Sequence, residues 1–461
     1  MKPTRPLDSA LVPAPVVDLL RTLQGAGWRA VLVGGCVRDL ARGVDVADWD
    51  VGTSARPEVV QSLFPRTVPT GLKHGTVTVL TVSGPVEVTT FRVESGYSDA
   101  RRPDQVTFTD DLRADLERRD FTVNAIAWDP IAEREEDPFG GRADLAAGIL
   151  RAVGEARERF REDGLRPVRA ARFAATLEME IVPETFDALG EAKEQVARVA
   201  AERIRDELVK MLRAREPSRG FEVLRRSGLL PLILPELADT VAVPQNRYHA
   251  FDVYYHTLYA CDAAPREKPE VRLAALFHDV GKPATRAERP DGDATFYNHQ
   301  FESARLAEKA MTRLRFSGET TERVVHLVRQ HMFDYRHEWS DAAVRRFLRA
   351  VGPEHVADLF DLRIADNVGN GTKTGFPHYL GELSDRIDAI LASAHAFTLR
   401  DLAIDGKDVM REMHLPAGPV VGAILEKILE EVIEHPERND RPYLLKRLRE
   451  GYAIDTKGPA A

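Results

Sequence analysis

Cysteine is nearly absent from this chain of 461 residues, in which only Cys36 and Cys261 occur. Two cysteines cannot build a disulfide framework or a thiolate metal site, so they are typical of a reducing compartment and predict a cytoplasmic protein. No apolar run approaches the roughly 20 residues that a membrane-spanning helix requires. The first residues also lack the apolar core of a signal peptide, and we therefore expect no membrane partner.

Basic residues are fewer than acidic residues, and the formal net charge is −9. This balance by itself argues against a nucleic-acid partner, but the arginines are clustered, and local charge decides where a polyanion docks. The length predicts roughly two to four domains. Short β-rich runs alternate with helical segments from about residue 28 to 128, and the period is helical nearly throughout from residue 155 onwards. The predicted fold class is α+β, with an α/β head followed by an all-helical body.

The most informative motif of the head is a glycine pair followed by two acidic residues. A buried strand is expected to run into Gly34 and Gly35, which let backbone N–H groups approach a phosphate at the start of the next helix, where Arg38 follows. Asp48 and Asp50 stand two residues apart on a predicted strand, so their carboxylates point to one side and could share a divalent ion. Without a cation, two such charges repel each other. This order of features predicts a nucleotidyl transferase.

Further polar residues of the head each allow two interpretations, one functional and one structural. Glu87, on a later strand, could be a third carboxylate near the metal that helps to deprotonate an attacking hydroxyl, or a strand-edge residue facing solvent. Arg119, Asp120 and Asn124 could hold ribose and triphosphate, or form a structural ion-pair network. We favour the first reading for this group, because Asn124 would otherwise be unexplained in an apolar run.

A charged segment after the head predicts that the protein selects particular nucleotide bases. Asp163, Arg166, Arg169 and Arg172 are spaced by three, which would align them on one side of a helix. A carboxylate only accepts hydrogen bonds and a guanidinium only donates them, so an Asp/Arg pair matches the pairing edges of cytosine and adenine and mismatches uracil and guanine. The alternative is an exposed, salt-bridged helix. The charged turn at 203–208 is expected to support this helix from behind.

Five ordered motifs resemble those of the bacterial tRNA CCA-adding nucleotidyltransferases of the poly(A) polymerase type. They are GG-x-VRD with D-x-D, TTFR, RRDF-x-x-NA, ED-x-x-R and R-I-x-x-E-L, and the match runs from about residue 14 to 210. The resemblance implies a polymerase-β-like nucleotidyltransferase head at 14–150 and a helical neck with the base-selecting helix at 151–245. It also implies a reaction without a template, in which the 3′-hydroxyl of tRNA attacks the α-phosphate of CTP or ATP and pyrophosphate leaves.

The same resemblance assigns roles to individual residues. It implies that Asp48 and Asp50 hold Mg²⁺. It implies that the triphosphate and ribose are held by Gly35, Arg38 and Arg119. Asp163 and Arg166 would then read the base, in a pocket that Arg169 and Arg172 complete. The loop from Tyr97 to Arg102 resembles the flexible element that serves the switch from C to A addition. Pro167 departs from the family pattern, which usually has another apolar residue there, and proline is tolerated only in the first turn of a helix.

The C-terminal half contains the core of an HD-type phosphohydrolase signature, which predicts an HD domain at 246–396. Two imidazoles and two carboxylates could bind a divalent transition ion or Mg²⁺ that activates a water, and they are His256, His278, Asp279 and Asp366. Three further histidines could orient substrate or form an outer layer around the metal, namely His299, His326 and His331. A metal-bound but inactive domain is the alternative. Residues 397–461 resemble the helical tail of the same enzymes, for which the implied role is tRNA binding.

Three functional hypotheses follow from these features. The first is addition of CCA to tRNA with ATP and CTP as substrates. The second is a relative restricted to CC, to A or to poly(A) tails. The third is an HD phosphohydrolase whose head merely binds nucleotides. A non-catalytic RNA-binding role is disfavoured, because such a protein needs no adjacent carboxylates on one strand face. No feature indicates a particular protein partner.

Overall fold

The computed structural model of the chain describes residues 4–95, 105–372, 377–392 and 398–451. It divides into two compact units, of which the first comprises Met1–Val243 with Glu308–Thr321 and the second Pro244–Ala307 with Glu322–Ala461. The stretch Glu308–Thr321 therefore groups with the first unit, although the sequence analysis included it in the HD domain. The loop from Tyr97 to Arg102 lies outside the described residues.

The strands are concentrated in the first 150 residues. They are β1 Ala30–Val33, β2 Trp49–Thr53, β3 Thr67–Gly71, β4 Thr76–Thr81, β5 Gly84–Thr90, β6 Arg92–Ser95, β7 Gln105–Phe108, β8 Ala127–Asp129, β9 Arg134–Glu136, β10 Ile149–Leu150, β11 Glu180–Ile181, β12 Ala287–Glu288 and β13 Ala294–Thr295. Seven of them form one mixed sheet in the order β3-β4-β5-β2-β1-β8-β9. The pairing of β2 with β5 is parallel, and the other pairings in this sheet are antiparallel.

Helices accompany this sheet and make up most of the rest of the chain. Those up to residue 238 are α1 Ala14–Gly25, α2 Gly35–Arg42, α3 Pro57–Leu63, α4 Leu112–Glu117, α5 Gly141–Ala147, α6 Ala156–Glu162, α7 Arg166–Thr176, α8 Pro183–Glu191, α9 Lys193–Ala197, α10 Ala201–Leu212, α11 Ser218–Arg226, α12 Leu230–Ile233 and α13 Pro235–Ala238. The later helices are α14 Val253–Ala263, α15 Pro269–Phe277, α16 Lys282–Thr285, α17 His299–Arg313, α18 Gly318–Gln330, α19 Asp341–Val351, α20 Val356–Gly369, α21 His378–Ala392, α22 Gly406–Met413, α23 Pro419–Glu434 and α24 Arg441–Glu450.

The centre of the sheet is built from apolar residues that favour strands. All four residues of β1 are buried, which fits a central strand that carries side chains against cores on both faces. One core contains Leu20, Leu32 and Val37, and the other contains Val33 and Phe91. Gly52 in β2 allows the ring of Phe91 to approach, since a Cβ there would lie 2.8 Å from its Cε1. The sheet thereby forms a rigid base for the residues at the ends of β1 and β2.

The α+β class predicted from the sequence is confirmed, with one correction. The body is not entirely helical, because β11 pairs in parallel with β10 of the head, and β12 forms an antiparallel pair with β13. The tail helices α22, α23 and α24 enclose a core of their own that includes Ile428 and Leu444. Among the described residues, no helix is both long enough and apolar enough to cross a membrane.

Candidate active site and metal centre

Three carboxylates converge beside strand β2. Asp50 lies in β2 directly opposite Glu87 of β5 in the parallel register, and such neighbours are about 4.8 Å apart with side chains on the same face. Asp48 precedes β2 by one residue, so the prediction that both aspartates lie within the strand was wrong. Burial, and then Glu87 ahead of the smaller effect of Asp48, raises the pKa of Asp50 to about 6. This repulsion is what a bound divalent cation would relieve, and the carboxylates fit one.

The glycine pair shapes the approach to these carboxylates. Gly34 follows β1 with φ +77° and ψ −128°, and Gly35 begins α2. A Cβ at Gly34 would lie only 2.6 Å from Nη1 of Arg119 and would also occupy an unfavourable φ. The backbone therefore comes close to the arginine, as the predicted phosphate site requires. The N-terminus of α2 adds a dipole that favours an anion.

One cavity of about 680 Å³ brings the predicted head residues together. All thirteen of them line it, and they are Gly34, Gly35, Arg38, Asp48, Asp50, Glu87, Arg119, Asp120, Asn124, Asp163, Arg166, Arg169 and Arg172. The lining contains nine cationic side chains and five carboxylates, although the whole chain is acidic. Arg92, Arg118 and Lys210 also line the cavity and were not predicted from the sequence, where their position beside the other motifs was the available signal. The local charge suits a polyanion such as a triphosphate.

A network of buried hydrogen bonds connects the walls of this cavity. Nη1 of Arg38 donates to Oδ1 of Asn124 at 2.6 Å, and Nδ2 of Asn124 donates to Oδ1 of Asp120 at 3.0 Å. Nε of Arg169 donates to Oδ2 of Asp120 at 2.8 Å. Burial disfavours the charge of Asp120, but Arg169 and Asn124 outweigh it and hold the pKa of Asp120 below its usual range. The structural network, which the sequence analysis ranked second, is thus present, and its members also line the cavity.

Glu207 extends this network to helix α7. Its side chain is 4% exposed, it accepts a hydrogen bond from Nε of Arg172, and its Oε1 lies 3.7 Å from Nη1 of Arg169. Glu207 was not predicted as a site residue, although it belongs to the R-I-x-x-E-L motif. A buried carboxylate between two arginines keeps both guanidinium groups in place, because each would otherwise be a desolvated charge without compensation.

Asp163 and Arg166 share the cavity but do not pair with each other. Helix α7 begins at Arg166, so Pro167 lies in its first turn, where proline is tolerated, and Asp163 lies outside the helix. The guanidinium of Arg166 donates to Oε2 of Glu162 at 2.6 Å and to two backbone carbonyls. Asp163 accepts two bonds from Arg203, at 2.8 and 3.1 Å. Arg203 therefore lines the cavity, while Glu207 in the same charged turn supports α7 as expected.

The second unit contains a compact cluster of histidines and aspartates. His256 is on α14, His278 and Asp279 follow α15, and Asp366 is on α20. The Nε2 atoms of His256 and His278 are 3.1 Å apart, and they lie 3.1 and 3.2 Å from Oδ2 of Asp279. Oδ1 of Asp366 lies 3.3 Å from Nε2 of His256. The four predicted residues are thus brought together, and they are buried except for the slightly more exposed Asp366.

The other histidines divide between the cluster and its surroundings. His299 and His331 direct their Nε2 atoms to the far oxygen of Asp279, at 3.2 and 4.0 Å, so they belong to the same cluster. His326 lies elsewhere, with Nε2 2.6 Å from the carbonyl oxygen of Val351, and the expected place for it near the metal was wrong. Nδ1 of His256 is buried and has no hydrogen-bond partner within the described residues. This donor set of imidazoles and carboxylates fits a divalent transition ion.

Three family models match the chain in order. The poly A polymerase head domain matches residues 30–151, the probable RNA and SrmB-binding site of polymerase A matches 178–240, and the HD domain matches 247–371. The CCA-adding enzyme of Lactobacillus gasseri is 46% identical over 424 residues, which cover 91% of this chain and 92% of that protein. This chain belongs to the CCA-adding enzyme family. The CCA-adding enzyme of Geobacillus stearothermophilus is 33% identical and covers 98% of both chains.

Solved structures of CCA-adding enzymes share this fold. The crystal structure of the Bacillus stearothermophilus CCA-adding enzyme in complex with CTP has a TM-score of 0.72 at 29% identity, and the match covers 95% of this chain and 98% of that one. The Thermotoga maritima CCA-adding enzyme complexed with tRNA has a TM-score of 0.54 at 20% identity, which supports the fold alone. The predicted family is therefore confirmed, and the head and HD families both use divalent metal ions.

Proposed function

We propose that this chain adds C, C and A to the 3′ end of tRNA without a template, using CTP and ATP. The observation that carries the proposal is the cavity that Asp48, Asp50 and Glu87 line together with nine cationic side chains. Relatives named CCA-adding enzymes match more than nine-tenths of the chain, and the fold is that of such an enzyme crystallised with CTP. The reacting groups are the tRNA hydroxyl and the α-phosphate, and pyrophosphate leaves.

Asp48 and Asp50 are proposed to hold Mg²⁺, because a hard cation prefers carboxylate oxygens. The ion would stabilise negative charge on the transferring phosphoryl group. Glu87, which lies opposite Asp50 in the neighbouring strand, is proposed to accept the proton of the attacking hydroxyl. Arg38 and Arg119, which line the same cavity, would bind the triphosphate. Because both already make hydrogen bonds to cavity residues, their guanidinium groups are oriented before a nucleotide arrives.

Asp163 and Arg166 are proposed to select the base. They would do so through the hydrogen-bonding positions that their contacts among the described residues leave open. A carboxylate has about four acceptor positions, and Asp163 uses three of them, for the backbone N–H of Leu165 and for Arg203 twice. A guanidinium has five N–H donors, and Arg166 uses three in bonds among the described residues. One acceptor and two donors remain, which match the amino group and ring nitrogen of cytosine or adenine.

A gel assay with tRNA that ends before CCA tests this function. We expect growth by two nucleotides with CTP alone, by none with ATP alone, and by three with both. Asp48→Ala should abolish incorporation, whereas Asp45→Ala, an exposed aspartate in the same segment, should leave it unchanged. A long adenylate ladder would replace the proposal by a poly(A) polymerase, and incorporation that survives Asp48→Ala would contradict the assigned mechanism.

The cluster around Asp279 supports a second activity, hydrolysis of a phosphoester. In that reaction water attacks phosphorus, the ester P–O bond breaks, and the alcohol leaves with a proton. The chain supplies the buried carboxylate and imidazole ligands for a metal ion that would activate the water. Release of p-nitrophenol from bis(p-nitrophenyl) phosphate should require Asp279 and should persist in Asp48→Ala, so the two activities separate.

The compartment and the partners follow from the proposed reaction. We infer that the chain works in the cytoplasm, where tRNA, CTP and ATP are available. The two cysteines are free and buried, which agrees with a reducing environment. The tail formed by α22, α23 and α24 is proposed to bind the tRNA body. Truncation after residue 396 should therefore raise the KM for tRNA more than the KM for CTP.

A further inference from the structure

Three arginines of the cavity proposed to bind the nucleotide lie against one aromatic ring. The Cζ atoms of Arg172, Arg169 and Arg38 are 3.8, 5.3 and 5.5 Å from the ring centroid of Phe173. All three distances are within the roughly 6 Å at which a cation is attracted to an aromatic face. We propose that Phe173 is a positioning residue for nucleotide addition, which holds these three guanidinium groups in place through cation–π contacts. The inference rests on the proposed function and adds a residue to its binding site.

The ring of Phe173 is itself fixed by the packing around it. Phe173 is on helix α7 and is only 3% exposed, yet it lines the cavity. The ring of Phe121 packs against it, with centroids 5.6 Å apart and planes inclined by 80°. Such edge-to-face contacts are favourable for aromatic pairs. Phe121 is also buried, so the ring of Phe173 presents a fixed surface to the arginines.

The hydrogen bonds of these arginines restrain the edges of the guanidinium groups. Nη1 of Arg38 donates to Oδ1 of Asn124 at 2.6 Å, and Nε of Arg172 donates to Glu207. All five N–H groups of a guanidinium lie in its plane, so each such bond consumes a donor that a ligand could otherwise use. An aromatic face attracts the charge of the whole group and consumes no donor. The ring therefore adds a restraint that leaves the N–H groups to the nucleotide.

Arg172 shows the effect most clearly. Among the described residues it donates a hydrogen bond only through Nε, so four of its five N–H donors remain for a ligand. Burial lowers the pKa of Arg172 below its ordinary value although Glu207 opposes the shift. The carboxylate thus compensates the desolvated charge only in part, and the negative face of the ring at 3.8 Å adds to the compensation. A guanidinium held in this way is oriented before the nucleotide binds.

The same ring joins two parts of the proposed nucleotide site. Arg38 is on α2 and is proposed to bind the triphosphate, whereas Arg169 and Arg172 are on α7 beside the proposed base-selecting residues. Three guanidinium groups this close to one another repel, and a single neutral ring attracts all of them. Weakening this attraction should therefore lower the affinity for the whole nucleotide.

Graded fluorination of Phe173 tests the proposal, because each fluorine withdraws charge from the ring face with little change in shape. The full chain is produced with 4-fluoro-, 3,5-difluoro- or 3,4,5-trifluorophenylalanine at this position, and the Kd for CTP is measured by calorimetric titration. We expect the Kd to rise with each added fluorine, by about tenfold for the trifluoro chain. Phe160 is the control, since it is buried and no cation lies over its ring in the described part of the chain. The same series there should leave the Kd unchanged.

Each outcome separates this inference from the proposed function. A Kd that stays constant or falls along the series would overturn the role of Phe173, and so would an equal rise at Phe160, while incorporation into tRNA by the wild type would leave the function intact. A wild type that binds CTP but does not extend tRNA would overturn the function, and the series would still decide the role of the ring. A wild type that does not bind CTP would overturn both.

Substitution by leucine provides a second measurement if circular dichroism shows that a fluorinated chain is not folded. Phe173→Leu keeps an apolar side chain but removes the aromatic face, so the Kd for CTP should rise by at least the factor expected for the trifluoro chain. Phe160→Leu, which also removes a buried ring, should bind CTP like wild type. Equal affinities of the two leucine variants would contradict the role of Phe173.

Discussion

Asp120→Asn removes one charge from the buried network of the cavity without changing the size of the side chain. Asp120 is 8% exposed, and its Oδ2 accepts bonds from Nε and Nη2 of Arg169 at 2.8 and 2.7 Å. Its Oδ1 accepts from the backbone N–H of Phe121 at 2.8 Å and from Nδ2 of Asn124 at 3.0 Å. In the variant, the new amide nitrogen must face either these donors or Arg169, which also only donates.

The expected loss of stability follows from burial. Removing one partner of a buried ion pair costs about 3–5 kcal/mol. The side chain of Arg169 is 31% exposed and keeps Glu207 nearby, so we take the lower end of that range. A loss of about 3 kcal/mol should lower the melting temperature of a unit of this size by about 6–12 °C. Nucleotide affinity should fall as well, because Arg169 lines the cavity.

The effect of Asp120→Asn should depend on pH with a definite sign. The pKa of Asp120 in the folded protein lies below its ordinary value of 3.8. A carboxyl whose pKa is lowered by folding contributes stability above its unfolded pKa, and this contribution is lost as pH falls towards the folded pKa. The difference in unfolding free energy between wild type and variant should therefore be constant above about pH 5 and shrink below about pH 4.

Thermal and denaturant unfolding, followed by circular dichroism, measures these differences. Glu191→Gln is the matched control, because Glu191 also accepts two bonds from one arginine, Arg157, at 2.7 and 2.9 Å, but at the surface. Exposed pairs contribute little, so this control should unfold close to wild type. The reasoning would be refuted if Asp120→Asn unfolded like wild type, or if Glu191→Gln were equally destabilised.

Three further predictions concern the first unit and the cysteines. Gly34→Ala should weaken CTP binding about tenfold or more in calorimetric titration, since the residue has φ +77° and its Cβ would lie 2.6 Å from a guanidinium nitrogen. Gly27→Ala has a similar φ of +87° but no neighbour within 4 Å, so it should bind CTP like wild type. Arg203→Met should raise the KM for CTP and ATP about tenfold with a smaller change in kcat, because its carboxylate partner is freed; an unchanged KM would contradict this role. Burial raises the pKa of Cys36 to about 12 and raises that of Cys261 further, so a thiol reagent at pH 8 should modify neither until denaturant is added.

Several residues of the head site could be predicted from the sequence because local rules determine their positions. Gly34 follows a buried strand and takes a backbone conformation that favours glycine. Asp50 falls on the strand where alternation places it, and Asn124 is a polar exception in an apolar run. The ordered motifs also identified the family. Asp48 lies one residue before the strand in which it was predicted. The end of a strand depends on its pairing partner, which local sequence does not specify.

The partners of these side chains could not be predicted in the same way. Asp163 pairs with Arg203 forty residues later, and Arg166 donates to the backbone of Arg118 forty-eight residues earlier. Spacing by three suggested that Asp163 and Arg166 share a helix face, but the helix begins only at Arg166. Helix α10 packs against α7, and this contact joins residues that are far apart in the sequence. It determines which charged side chains become partners.

Residue type, spacing and periodicity were sufficient to predict the family, the order of head and helices, and the carboxylates and arginines that line the cavity. Which histidines join the cluster around Asp279 depends on the packing of the helices. His326 and His331 are five residues apart, yet one bonds a backbone carbonyl and the other faces Asp279. A cluster of this kind contains side chains from several helices, and the packing of those helices brings the side chains together. No local sequence pattern encodes that packing.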